Sequence, residues 1–69
     1  MRERTASENH RMARVSALGT VKAHGQATVK DVMREQGLAE INAMRALKEL
    51  ATSGNVRKTG RYYVFVSEG

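Results

Sequence analysis

No cysteine, proline or tryptophan occurs in the 69-residue chain. Without cysteine there is neither a disulfide framework nor a thiolate metal centre, which excludes the disulfide-rich secreted class. Without proline, the six glycines at 19, 25, 37, 54, 60 and 69 are the main punctuation. Aromatic side chains make up 4% of residues, and all three lie in Tyr62-Tyr63-Val64-Phe65. No apolar run approaches the ~20 residues of a membrane span, nor does one follow the basic start Met1-Arg2-Glu3-Arg4, so neither a span nor a signal peptide is expected. A cytoplasmic location is the default expectation. His10 and His24 stand fourteen residues apart with no acid and hydroxyl array around either. With no phosphate-cradling glycine loop or metal-ligand cluster beside them, no enzymatic activity, cofactor or metal is expected.

The chain has the length of one domain. Its 41% apolar content includes nine alanines and Met1, which leaves eighteen larger apolar side chains for a core. A domain this small buries only roughly 60% of its unfolded surface, so stability rests on packing alone and is expected to be marginal. Twelve Lys/Arg against seven Asp/Glu give a net charge of +5 and a pI near 10.3, a balance that attracts polyanions. The positive charge gathers toward the two ends: Arg2, Arg4, Arg11, Arg14 and Lys22 in one region, and Arg57, Lys58 and Arg61, with no acid between them, in the other.

A first helix is predicted from about Glu8 to His24, where Met12, Val15, Leu18 and Val21 recur at steps of three beside Ala13 and Ala17. Either a Thr5/Glu8 capping box or Ser7 would start it, and Gly25 would follow its C-terminus. Thr28-Val29-Lys30-Asp31 signals a short second helix with Thr28 as N-cap, Val29, Val32 and Met33 on its apolar side, and Gly37 as its stop. A third helix is predicted from Ala39 through Ser53, with Ala43, Leu47, Leu50 and Ala51 inward and Gly54 at its end. The period then changes: Val56-Arg57-Lys58 pairs with Tyr62-Tyr63-Val64-Phe65-Val66 across Thr59-Gly60 as a β-hairpin. Tyr63 and Phe65 then point to one side, and Tyr62, Val64 and Val66 to the other. These elements make an α+β fold, with residues 1–7 as a flexible basic arm and 8–69 as the domain.

Three helices and a hairpin, with a tight turn between the second and third helices, is the order of a winged helix-turn-helix domain. Ala27-Thr28-Val29-Lys30-Asp31-Val32-Met33-Arg34-Glu35-Gln36-Gly37-Leu38 resembles the second helix and turn of that family. Met44-Arg45-Ala46-Leu47-Lys48-Glu49-Leu50-Ala51-Thr52-Ser53-Gly54-Asn55-Val56-Arg57-Lys58 resembles its recognition helix running into the wing. The resemblance covers about residues 10–66 and is family-wide, similar to the DNA-binding parts of MarR-like and ArsR-like repressors and to very small single-domain bacterial regulators.

The resemblance implies double-stranded DNA as partner and transcription regulation as function. The outward side of the third helix is expected to carry Glu40, Ile41, Asn42, Arg45, Ala46, Lys48 and Glu49. Of these, Arg45 is placed to bond guanine, Asn42 adenine, and Ile41 a thymine methyl. Arg57, Lys58 and Arg61 would hold the backbone or the minor groove at the hairpin tip. Thr28 is expected to cap its helix and is also placed to donate to a phosphate. Because one module offers few base contacts, a homodimer on a two-fold site or a regulatory protein partner is expected, with the first helix or the arm as the contact.

The chain departs from the family where the third helix opens with Ala39-Glu40-Ile41 in place of hydroxyl residues, which sets Glu40 unfavourably near phosphates. Ile41, Met44 and Ala46 form an apolar strip, and such strips mark protein interfaces. The alternative reading is therefore a winged-helix protein-interaction module using that strip and Tyr62. RNA binding is a third option, weakened by the scarcity of aromatic residues outside the hairpin.

Overall fold

A computed structural model describes residues 6–68, with side chains from Arg11 onward. Residues 1–5 of the predicted 1–7 arm, including Arg2, Arg4 and the Thr5 cap, and the side chains of Ser7, Glu8 and His10 lie outside the described residues, while Ala6 and Ser7 of that arm belong to the first helix. Three helices, α1 (Ala6–His24), α2 (Val29–Gln36) and α3 (Glu40–Thr52), precede an antiparallel hairpin of β2 (Val56–Thr59) and β3 (Tyr62–Phe65). The fold is α+β, as the sequence predicts.

The apolar line of α1 differs from the predicted stripe. Ala13, Ala17, Thr20 and Val21 are buried, whereas Met12 and Val15 are 45% and 65% exposed. At about 100° per residue each step of three turns the line back by roughly 60°, so Met12 and Val21 lie on opposite sides of the helix. Spacing of four and seven stays on one face. Gly25 follows in the left-handed region, with φ of 81°.

Thr28 caps α2 as expected: the Asp31 backbone N–H donates to Thr28 Oγ1 at 3.1 Å, and the Thr28 backbone N–H donates to Asp31 Oδ2 at 3.0 Å. This reciprocal box satisfies two amides at the helix start. Gly37 ends α2 with φ of 65°, and the chain enters α3 through Gly37, Leu38 and Ala39. Gln36 Nε2 donates to the buried Thr20 Oγ1 at 2.8 Å, which ties α2 to α1 and satisfies a hydroxyl that burial would otherwise penalise.

Ala43, Ala46, Leu47 and Leu50 form the buried side of α3. Ala46, predicted to point outward, is fully buried. On a helical wheel it lies about 40° from Leu50 and about 60° from Ala43, so the inward direction centres nearer to it than the sequence assignment placed it. The apolar strip is thus reduced to Ile41 and Met44, 64% and 38% exposed.

The sheet holds one strand more than predicted. β1 (Gln26–Ala27) pairs antiparallel with β3, Gln26 opposite Val64 and Ala27 opposite Tyr63, to give the order β1-β3-β2. Two residues carry no period, so this strand left no signature; it exists because β3 offers an unpaired edge beside the exit from α1, where the Phe65 N–H donates to Gly25 O at 2.9 Å. The turn is also shifted by one. Thr59 pairs with Tyr62, so the loop is Gly60-Arg61, not Thr59-Gly60. Gly60, with φ of 62° at the first loop position, has the conformation of a type II′ turn, which a Cβ would strain.

Tyr63 and Phe65 face the helices, Tyr63 being 5% exposed and Phe65 packed on the core, while Tyr62 and Val66 are 40% and 54% exposed. Among the described residues, five of the eleven buried apolar ones are alanines, so the core works by close approach of backbones around Leu47, Val21 and Val32. Asn55 straps the end of the chain to α3, accepting from the Val66 and Ser67 backbone N–H groups and donating from Nδ2 to Ser67 O at 2.9 Å.

Candidate nucleic-acid interface

One flank of α3, the start of α2 and the hairpin enclose an open groove of about 570 Å³. Its cations come from three elements: Lys30 from α2, Lys48 from α3, and Lys58 and Arg61 from the hairpin. Thr28, Glu40, Met44 and Tyr63 also line it. The local reasons are distinct. Lys48 follows Glu40 and Met44 at steps of four, which puts all three in one row along α3. Lys58 shares the inner face of the sheet with Val56, opposite Tyr63, and its Nζ stands 6.0 Å from the centre of the Tyr63 ring. Arg61 is carried to the tip by the shifted turn.

Pairing elsewhere leaves this groove positive. Arg14 bonds Glu49 at 3.2 Å, Lys22 pairs with Glu68, Arg34 bonds Asp31 at 2.9 Å, and His24 bonds Glu35 at 2.8 Å. These contacts engage Asp31, Glu35, Glu49 and Glu68, none of which lines the groove. Among the described residues, Lys30, Lys48, Lys58 and Arg61 form no salt bridge, and Glu40 is the single acid beside them. Unpaired cations within a concave wall reinforce one another's field.

Two titratable groups outside the groove lining are shifted. The Asp31 carboxyl is held below its ordinary range, first by the bond from the Thr28 backbone N–H, with the Thr28 hydroxyl and Arg34 adding to it. His24 is raised, chiefly by its hydrogen bond to Glu35.

The predicted site residues separate into three groups. Thr28, Lys48, Lys58 and Arg61 meet in the groove. Ile41 and Arg45 share the adjoining outward face of α3 with Met44 and Lys48. Asn42 and Arg57 join neither. Asn42 is exposed just beyond the edge of that outward face, roughly 20° past Glu49 on the wheel, and Arg57 pairs with Val64 on the outer face of the sheet. Sequence reasoning passed over Lys30. The signal for it was a cation in the first turn of a capped helix, where the dipole favours acids and a base is present at a cost.

Among the described residues no group of three His, Cys, Asp or Glu side chains is arranged to hold a metal ion. No described helix is long and apolar enough to cross a membrane. Comparison with curated proteins and with solved structures returns no match. Over its whole length, residues 1–69, the chain belongs to the family DUF977, described as bacterial protein of unknown function.

Proposed function

We propose that this chain is a small, non-enzymatic, cytoplasmic regulator of transcription that binds double-stranded DNA as a winged helix-turn-helix module. The observation that carries the reading is the convergence of Lys30, Lys48, Lys58 and Arg61, none in a salt bridge with a described residue, on one groove beside α3. The three-residue connection through Gly37, Leu38 and Ala39 supports it, since helix-turn-helix units join their helices by a turn of about that length. So does the outward face of α3, where Ile41, Arg45 and Lys48 stand clear of the core.

In this reading α3 enters the major groove, Arg45 bonds guanine and Ile41 covers a thymine methyl, while the groove cations hold the flanking phosphates. A single module offers few base contacts, so two copies act on a two-fold site. Four phosphate contacts would make log K fall by about 3.6 per decade of salt, a loss on the order of 10²-fold between about 50 and about 200 mM. Fluorescence anisotropy on a random duplex pool, with the Lys58→Ala/Arg61→Ala variant alongside, tests the reading. The variant is expected to lower the slope by about two. Absence of binding at the lower salt concentration would sink the proposal.

The exposure of Ile41 and Met44, 64% and 38%, favours a second reading, a protein-binding winged helix. That reading expects an Ile41→Ser change to abolish partner binding, with no salt-dependent DNA affinity to lose.

A further inference from the structure

Glu40 stands out in the groove because it is an acid among four cations. It opens α3, is exposed, and makes no ion pair with Lys30, Lys48, Lys58 or Arg61 although all four line the same wall. The helix dipole favours an acid in a first turn, which accounts for its tolerance in the free protein. A docked polyanion changes the balance, since a carboxylate that met a phosphate there would oppose the field of the four cations. The position is compatible with a bound duplex when the carboxylate faces a hydrogen-bond donor instead.

On the major-groove edges of the bases, the donors are the exocyclic amines of cytosine and adenine. Adenine sets its N7 acceptor beside that amine, which a carboxylate cannot satisfy; cytosine presents the N4 donor alone. Position agrees with chemistry, because the N-terminal residues of a recognition helix are those that reach base edges. Met44, one turn along the same row, and Ile41, the next residue, supply apolar neighbours that keep water from the contact and so strengthen it.

We propose that Glu40 is a specificity-determining residue that accepts a hydrogen bond from the N4 amine of a cytosine in the target duplex. This rests on the duplex-binding reading above and adds to it a base identity at one position.

The test is repeated selection of the full chain on a random duplex pool, run in parallel with Glu40→Ala and Glu40→Gln, followed by affinity measurements on the enriched site. Besides the pair whose guanine Arg45 reads, the native chain is expected to enrich an invariant C·G pair in each half-site. Glu40→Ala should lose the preference at that pair alone, and Glu40→Gln should move it toward adenine, whose N6 and N7 suit an amide. A second probe needs no variant: N4-methylcytosine at that pair keeps the base pairing but removes the donor facing the groove, and should weaken the native chain by about tenfold. An unchanged motif in the variants, or indifference of the native chain to the N4-methyl group, overturns the role of Glu40 and leaves duplex binding standing. Enrichment of no duplex at all overturns both.

Discussion

Lys58 and Tyr63 face each other across the hairpin, the ammonium nitrogen 6.0 Å from the ring centre. The buried ring, 5% exposed, belongs to the core, and the cation above it belongs to the groove, so one cross-strand pair joins stability to the site. At this distance the cation–π attraction is near its limit and contributes about 0.5 kcal/mol. Lys58→Ala is expected to change stability by no more than about that amount while lowering the salt slope of DNA binding by about 0.9. Thermal denaturation and salt titration on one preparation separate the two effects; a large loss of stability would show that Lys58 is structural.

The Thr28–Asp31 box predicts a cost for removing the cap. Thr28→Ala should destabilise the domain by about 1 kcal/mol, and Thr28→Ser should restore most of it. The Asp31 carboxyl has a folded pKa below its ordinary 3.8, so its contribution is present above that value and disappears as the pH falls through the lowered one. Urea denaturation between about pH 2 and pH 6 checks this, and the acid-dependent part should shrink in the Thr28→Ala variant.

His24 and Glu35 link the end of α1 to α2. The His24 pKa is raised above 6.5 in the fold, so the stability it adds is complete below 6.5 and is lost as the pH rises through the raised value. Both side chains are exposed, so the effect is small and fades with added salt. Following the imidazole resonances by NMR, Glu35→Gln should return the titration toward its ordinary position. An unmoved titration would mean that the pair does not persist in solution.

Leu47 is fully buried and is among the largest side chains in a core otherwise rich in alanine. Leu47→Ala should cost about 2–5 kcal/mol. A domain of this length has roughly 3–10 kcal/mol in all, so the variant is expected to melt at a midpoint lowered by about ten degrees or more by circular dichroism. Retention of a cooperative transition near the native midpoint would mean that the small side chains around the site collapse to refill it.

Helix starts and stops were legible because they depend on neighbours in the chain. Thr28 and Asp31 find each other three residues apart, and Gly25, Gly37 and Gly54 end their helices in the left-handed conformation that glycine adopts without a Cβ penalty. The alternation that set Tyr63 apart from Tyr62 was legible for the same reason, as a property of any strand. Which way Met12, Val15 and Ala46 face was harder to reach, since the first two were read as inward and are exposed, and the third was read as outward and is buried. A period of three fits a helix over one turn and drifts over three, and only the helix packed alongside decides which direction counts as inside.

The basic tip at Arg57, Lys58 and Arg61 could be read as a cluster in the sequence, yet a cluster in sequence is not a cluster on a surface. Strand pairing sent Lys58 to the groove and Arg57 to the far side of the sheet, and the one-residue shift of the turn placed Arg61 at the tip. Lys30, Lys48 and Glu40 meet Lys58 and Arg61 across separations of ten to thirty-one residues in the chain. By itself the sequence determined the three helices, the hairpin, the Thr28 cap and the excess of positive charge, because these follow from local bonding and composition. Which charges face one groove was decided by the packing of α2, α3 and the hairpin, because charges distant in the chain share a field only once the fold has brought them together.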